Sequence, residues 1–530
     1  LVLSGNNTNT GTTTINAGTL RAAHNNAFGT GNVLLGDTGA VLELANGITI
    51  NRPLTVGNTG DKKTLKLQSI ASAGDYAGTI LISETTGANF ELTAATGQVL
   101  TVSGKISGTT GGAVNKTGGG TARLFGANDY TTPTVINEGV LIANTLANAG
   151  LASSVGAASD VSGNLVLNGG TLRHDAATIA GTNRKFALGL NGGTIDSSAV
   201  AITDIVNFST PLAMGFNSQL GPRTLVLAGS NAGDNTLRMD INDDGSNNPT
   251  SLIKDGPGKW LITGVANDYT GNTTVNVGTL VLADNAGLKF QVTDSSCNRI
   301  TGTGTLQLNG DFTINTTAVT GTSGSWQLVE TAVLNENFGS SFTVVGWTEA
   351  ANVWTKVEGT KIWKFSESNG ILGLWDVNSY DYWMSNFPGI AAADRGSSAD
   401  PDHDGSSNLL EFALNGDPSD PLDNGLIASL IQDSGGPASK ELTLVIAVRD
   451  GAVFTNGTGT ASGITYSVEG SLDLVFPSSA VSSTGPSDTA PAATGLPSLA
   501  GTAWEYHTFK LDTSEGLTGS GFLRLKVVQP

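Results

Sequence analysis

One cysteine in 530 residues, Cys297, is the scarcest resource of this chain. It excludes an intramolecular disulfide and any zinc site built from cysteines, and the residue is expected to be a small buried or strand-flanking thiol. Basic side chains are also few, 26 Lys and Arg against 45 Asp and Glu, for a formal net charge of −19. Such a surface repels phosphate backbones and anionic lipid, so neither nucleic acid nor a membrane surface is an expected partner, whereas calcium is. No stretch approaches the ~18 apolar residues of a membrane span. Charged residues make up 13% of the chain and aromatic residues 6%, so neutral polar side chains must cover much of the surface. That composition argues against the Lys- and Glu-laced helices of a cytosolic enzyme.

Glycine is what the chain has in excess: 71 residues against 16 prolines, with no collagen triplet. Together with abundant Thr, Asn, Val and Leu, this points to many short strands joined by tight turns. The length predicts two to four units. Leu1-Val2-Leu3-Ser4-Gly5 reads as a strand and turn rather than a signal peptide, so an exported protein would be represented by its mature form or a fragment.

A motif recurs three times. It runs Leu3-Ser4-Gly5-Asn6-Asn7-Thr8-Asn9 through Ile15-Asn16-Ala17-Gly18-Thr19-Leu20, then Leu124-Phe125-Gly126-Ala127-Asn128-Asp129-Tyr130 through Gly139-Val140-Leu141. The third copy is Ile262-Thr263-Gly264, Asn267-Asp268-Tyr269-Thr270-Gly271 and Gly278-Thr279-Leu280. A Lys-x-Gly-x-Gly element precedes the last two copies, at Lys116, Gly118, Gly120 and at Lys254, Gly256, Gly258. The first copy lacks that lead-in, which leads us to expect a longer or processed N-terminus.

Strand-turn phrases fill the intervals, such as Asn164-Leu165-Val166-Leu167-Asn168-Gly169-Gly170-Thr171-Leu172 and Thr305 to Ile314. Alternation puts Val, Leu and Ile on one face, and Gly and Asn supply left-handed corners. Asn-Gly also suits hairpins, so separate β-sandwiches are the alternative. Equivalent short strands without intervening helices stack more simply as the coils of a solenoid.

The triplicated motif resembles the bacterial autotransporter-associated β-strand repeat, with Asn9 departing from the pattern where Tyr130 and Tyr269 stand. That resemblance implies a right-handed parallel β-helix in an exported protein, extracellular or at the cell surface, and implies no enzyme. Nothing after residue 370 looks like a membrane barrel of ~10-residue strands.

Composition changes after Trp375. Tyr380, Trp383, Met384 and Phe387 form a helical stripe that Pro388-Gly389 ends. Next comes Asp400-Pro401-Asp402-His403-Asp404-Gly405-Ser406-Ser407-Asn408-Leu409-Leu410-Glu411. Its oxygen-bearing side chains fall in the EF-hand register: Asp400, Asp402, Asp404, Asn408 and Glu411, with Gly405 at the sharp turn and the Ser406 carbonyl as a further ligand. Four carboxylates this close repel one another unless a cation sits among them, so the segment is expected to bind calcium. It also resembles the calcium-binding linkers, similar to dockerin and thrombospondin type 3 loops, of exported proteins of the Verrucomicrobia–Planctomycetes group, where the ion fixes an interdomain angle. A weaker echo at Asp240 to Asn248 ends on Ser251, which cannot give a bidentate carboxylate, and is expected to be a polar turn.

From Leu426 the strands lengthen. Leu442 to Val448 reads as buried, Ile464 to Glu469 alternates, residues 477–503 read as an exposed loop, and Phe522 to Val528 carries Arg524 and Lys526 outward. The spacing predicts an immunoglobulin-like β-sandwich. The expected organisation is a solenoid over residues 1–375, a helical, EF-hand-like calcium linker over 376–424 and the sandwich over 425–530.

Three functions compete. Polysaccharide-acting enzymes also use parallel β-helices, but His24, His174 and scattered carboxylates form no Asp-Asp pair in a strand phrase. An adhesin would present Thr and Asn faces to glycans or a partner protein. A self-assembling structural protein would associate head to tail with copies of itself, giving a filament or surface layer, because solenoid ends expose strand edges. Self-assembly is preferred here to adhesion, and either to an enzyme.

Overall fold

The computed structural model describes the chain except for residues 38, 58–62, 68–72, 84–86, 247, 434–439, 473, 477–480, 487–494, 512–519 and 530. Chain contacts divide it into two units: Leu1–Gly321 with Ser325–Thr355 and Lys364–Leu372, and Thr322–Gly324 with Lys356–Trp363 and Gly373–Pro530. No helix among the described residues is long and apolar enough to cross a membrane.

The first unit is built from parallel sheets of nine, five, eleven, seven and three strands. Phe90–Ala94, Val99–Val102 and Ile106–Ser107 lie in three different sheets, and Val114–Thr117 returns to the first with Phe90 opposite Val114. The fold is therefore solenoid-like, each coil hydrogen-bonding to the ones before and after it. Asn168-Gly169 turns a coil corner rather than a hairpin, since Leu165–Leu167 pairs in parallel with both Thr134–Ile136 and Ala187–Leu188. Parallel pairing gives way near the end of this unit, where Thr348–Ala350 runs antiparallel to the residues from Val353 to Thr355.

Interior positions superpose from coil to coil, and most are apolar. Leu92, Lys116, Ile136, Leu167 and Leu188 occupy one such ladder; Leu141, Leu172, Ile195, Leu227, Lys254 and Val275 occupy another. The two lysines are thus core residues, 1% and 0% exposed. Each ammonium has three carbonyl acceptors. Lys116 Nζ donates to the oxygens of Thr117, Gly118 and Glu138 at 2.8, 2.6 and 3.0 Å, and Lys254 Nζ donates to those of Asp255, Gly256 and Val277 at 2.9, 2.7 and 3.0 Å. Because one acceptor in each set belongs to the next coil, the lysine ties two coils at their corner.

The motif glycines leave room for this arrangement. Gly278 has φ +74°, and a Cβ there would meet the oxygens of Gly258 and Gly256 at 2.4 and 2.5 Å and Lys254 Nζ at 2.8 Å. The motif asparagine is a second tie: Asn267 Oδ1 accepts from Ile241 N–H in the preceding coil at 2.9 Å, and its amide donates to Gly287 O in the following coil at 2.8 Å. Asn128 accepts from Ile106 N–H and donates to Ser154 O, while Asn7 donates to Ala27 O. Tyr130 and Tyr269 are buried with their hydroxyls on Thr134 and Thr273.

The second unit carries helices α1 (Tyr380–Ser385) and α2 (Asn408–Leu414) and two four-stranded antiparallel sheets. Ser379 caps α1 by accepting from Tyr382 N–H. Asn415, in the left-handed region, ends α2 with Gly416 N–H on Glu411 O. One apolar core joins both helices to both sheets, through Trp383, Met384, Phe412, Ile446, Tyr466 and Phe509. Lys440–Arg449 is buried on both faces from Thr443 onward. Arg524 and Lys526 face outward on Phe522–Val528.

Within residues 477–503, expected as a loop, Val481–Pro486 forms an edge strand against Trp504–Leu511; residues 477–480 and 487–494 lie outside the described residues. Gly485 and Pro486 argue against a strand in sequence, and here pairing with Trp504–Leu511 supplies it.

Replacing Lys254 by Met would leave three corner carbonyls without their donor. We expect the solenoid unit to lose about 2–4 kcal/mol, read as a shift of its denaturation midpoint, with the exposed Lys105→Met as the near-neutral control.

Candidate metal centre

The acidic loop closes just before α2, with His403 and Gly405 in left-handed conformations, φ 63° and 95°. Its own amides engage one oxygen of each aspartate: Asp404 N–H on Asp402 at 3.3 Å, Gly405 N–H on Asp400 at 3.1 Å, Ser406 N–H on Asp404 at 2.6 Å. The other oxygen of each, Oδ1 of Asp400 and Oδ2 of Asp402 and Asp404, is buried without a hydrogen-bond partner. The three carboxylates converge, a ligand atom of each lying within 4.8 Å of the others.

Asn408 and Glu411 are fully buried, 0% exposed. The Asn408 amide donates to the carbonyls of Asp394 and Gly396, both at 2.9 Å, which leaves Oδ1 as a buried acceptor with no donor. Neither carboxylate oxygen of Glu411 has a partner. Burial pushes Glu411 up to about 8, and the charges of Asp402, Asp404, Asp400 and Asp417 push the same way. Burial also raises Asp402. Glu411 stands outside the tight group of three and is coupled to it by charge. Ser406, expected to offer its carbonyl, is buried. An unpaired buried carboxyl is costly unless it is protonated or a cation compensates it. The donors are all oxygen, the set a hard divalent cation prefers, so the residues fit calcium chemically.

Two contributors escaped the sequence reading. The carbonyls of Asp394 and Gly396 orient Asn408, and backbone acceptors carry no residue-type signal. Asp417 adds charge beside Glu411, and its place after the helix cap was the available clue.

The second acidic segment differs in kind. Asp244 accepts from Gly221 N–H, Ser246 N–H and Asn248, and pairs with Arg223; Asp243 accepts from Thr250 and Thr270. Its carboxylates are held by protein donors, as a polar turn requires. His174 is buried, with its ring nitrogens on Ala143 O and Thr178 O, and His24 accepts from Asn26 N–H.

Anchoring of α2 fixes the loop. Trp504 donates to Phe412 O and Tyr466 to Ala413 O, both at 3.0 Å. The Arg449 guanidinium lies over the rings of Phe412 and Trp504, 4.8 and 4.1 Å from their centroids.

Residues 1–22, 114–143 and 252–282 match the profile of the Passenger-associated-transport-repeat. These are the three motif copies, with the lysine, glycine and asparagine ties of copies two and three inside the matched spans. The chain carries three copies of this passenger-associated, autotransporter-type repeat. This repeat protein is also 34% identical over 263 residues to "Adhesin BmaC autotransporter" of Brucella suis biovar 1 (strain 1330), a match spanning 49% of this chain and 7% of that relative. No solved structure matches significantly. Both likenesses are to exported proteins, and the chain is a secreted cell-surface protein. The acidic loop lies outside the repeat spans.

Glu411 makes the loop pH-sensitive. Its folded value stands above the ordinary 4.5, so the metal-free fold gains stability from the bound proton at low pH and loses it as pH rises toward about 8. Thermal denaturation of chelator-treated protein should show a falling midpoint across that window, and Glu411→Gln should flatten the slope.

Proposed function

We propose that this repeat protein is the adhesive part of a surface passenger, without enzymatic activity. In this reading a right-handed parallel β-helix presents the contact surface. An EF-hand-like calcium loop and an immunoglobulin-like β-sandwich follow it. The observation that carries the proposal is an uncharged ladder on the outer side of the longest sheet: Thr171, Thr194, Val226, Ile253, Thr274 and Thr301, each half-buried and in register across successive coils. A rigid, regular strip of hydroxyls and methyls suits broad contact, because ordering it costs little further entropy on binding. The description of the relative as an adhesin favours adhesion over the filament preferred from sequence.

Calcium belongs to the proposal through the orphaned oxygens of Asp400, Asp402, Asp404, Asn408 and Glu411. The ion's task is to hold the loop and α2 in place. Calorimetry should give a calcium affinity that Glu411→Gln lowers at least about tenfold, and chelation should open residues 376–424 to proteases. An unchanged affinity would exclude the assigned register.

Self-association is a second reading, favoured by the edge strand Ile427–Asp433. It pairs on one side with Lys440–Arg449, and Ile427, Leu430 and Ile431 are exposed. Light scattering decides between a monomer and a polymer that Ile431→Lys would dissolve. For adhesion, beads coated with the chain should adhere to host cells, and Ile253→Glu, which sets a charge in the ladder, should reduce capture severalfold. Equal capture by that variant would remove the ladder from the contact surface.

A further inference from the structure

Above the third repeat copy, the strand Gly287–Thr293 runs on into a tight turn. Thr293 N–H donates to Ser296 O, and Val292 bridges Cys297 in antiparallel fashion. Between this projection and the coil edge lies a groove of about 410 Å³, within the range of roughly 300–1,000 Å³ typical of small-ligand sites.

None of the residues lining the groove is charged, in a chain whose net charge is −19. Its base is preformed. Asn298, 7% exposed, accepts from Gln291 N–H at 2.7 Å and donates to Lys289 O at 3.0 Å and to the carbonyl of the motif residue Tyr269 at 3.4 Å. Two other amides are half-used. Asn272 Oδ1 accepts from Arg299 N–H at 3.1 Å, and Gln291 Oε1 accepts from Asn315 at 2.8 Å. Those bonds orient both side chains, and their NH2 groups have no protein acceptor among the described residues; the Ser251 hydroxyl has no partner there either.

We propose that this groove binds an uncharged saccharide. Two oriented amide donors and a hydroxyl match the oxygen acceptors of a sugar, and the lining itself carries no formal charge, the nearest charged groups being of both signs, Asp243 and Asp294 at the edge and Arg299 beside Cys297. Asp243, bonded to Thr270 at the rim, and Asp294 on the turn disfavour acidic sugars. The proposal rests on the adhesive reading and gives it a ligand class and a location.

Cys297 lines the groove and is the single cysteine, so its alkylation reports on occupancy without ambiguity. Burial holds the thiol above its ordinary value, so alkylation by iodoacetamide is best followed at mildly alkaline pH. Neutral oligosaccharides of glucose, galactose, mannose and N-acetylglucosamine, printed as an array and then added in solution, are the probes. The expected result is retention of at least one of them and severalfold slower alkylation in its presence.

Asn272→Asp with Gln291→Glu keeps the acceptor oxygens that tie the coils while removing the donors. This pair should lower affinity about tenfold or more, with the unfolding midpoint as a control on the fold. Retention undiminished in the pair, retention of acidic sugars or extended peptides alone, or alkylation that no neutral sugar slows would each overturn the proposal. Bead adherence separates the two readings. Adherence that survives the double variant removes the groove and leaves adhesion standing. Sugar binding by a chain that does not adhere keeps the groove and removes adhesion.

Discussion

Corner carbonyls are the constraint on which the solenoid depends. Along its strands each coil meets its neighbours through parallel ladders, but at a corner the chain turns and backbone oxygens converge with no amide opposite them. An unmet buried carbonyl is among the more expensive defects a fold can carry. Here the solution is a lysine in an otherwise apolar ladder, whose ammonium meets three oxygens at once. Every other oddity of the repeat follows. The stem needs a core position, the oxygens can approach only where glycines remove Cβ, and the asparagine ties the next corner from inside.

Much of this architecture is readable in the sequence because it is written in residue types. Glycine spacing, two-residue alternation and the recurrence of Lys116 and Lys254 predict stacked coils, and the parallel ladders follow that pattern. The helix at Tyr380 was legible from its apolar stripe, and the left-handed Asn415 followed by Gly416 is a residue-type mark of the end of the one at Asn408. Other features depend on partners distant in the chain. That the motif lysine points into the core could not be read from a charged residue whose usual place is the surface. The strand Val481–Pro486 exists through its pairing with Trp504–Leu511.

The acidic loop divides in the same way. Its aspartates announce themselves by spacing, and the structure brings three of them together. The burial of Glu411 is a tertiary fact, produced by α2 lying in a core with Trp383, Ile446 and Tyr466. Two strand-borne side chains, Trp504 and Tyr466, satisfy the carbonyls at the end of that helix. The loop is therefore built into the packing of the second unit rather than strung beside it.

Coil-to-coil modularity also bears on how such a gene can change. The lysine, glycine and asparagine of copy two occupy the same places relative to their neighbours as those of copy three, so each copy offers the next coil an equivalent docking surface. An in-frame crossover between the two copies would retain the corner donor and the inward alternation while moving the following strands round to the next sheet, since Lys116 and Lys254 stand in different sheets. Length can then vary by whole blocks through unequal recombination, without the many point substitutions that a globular core would demand to readjust its packing.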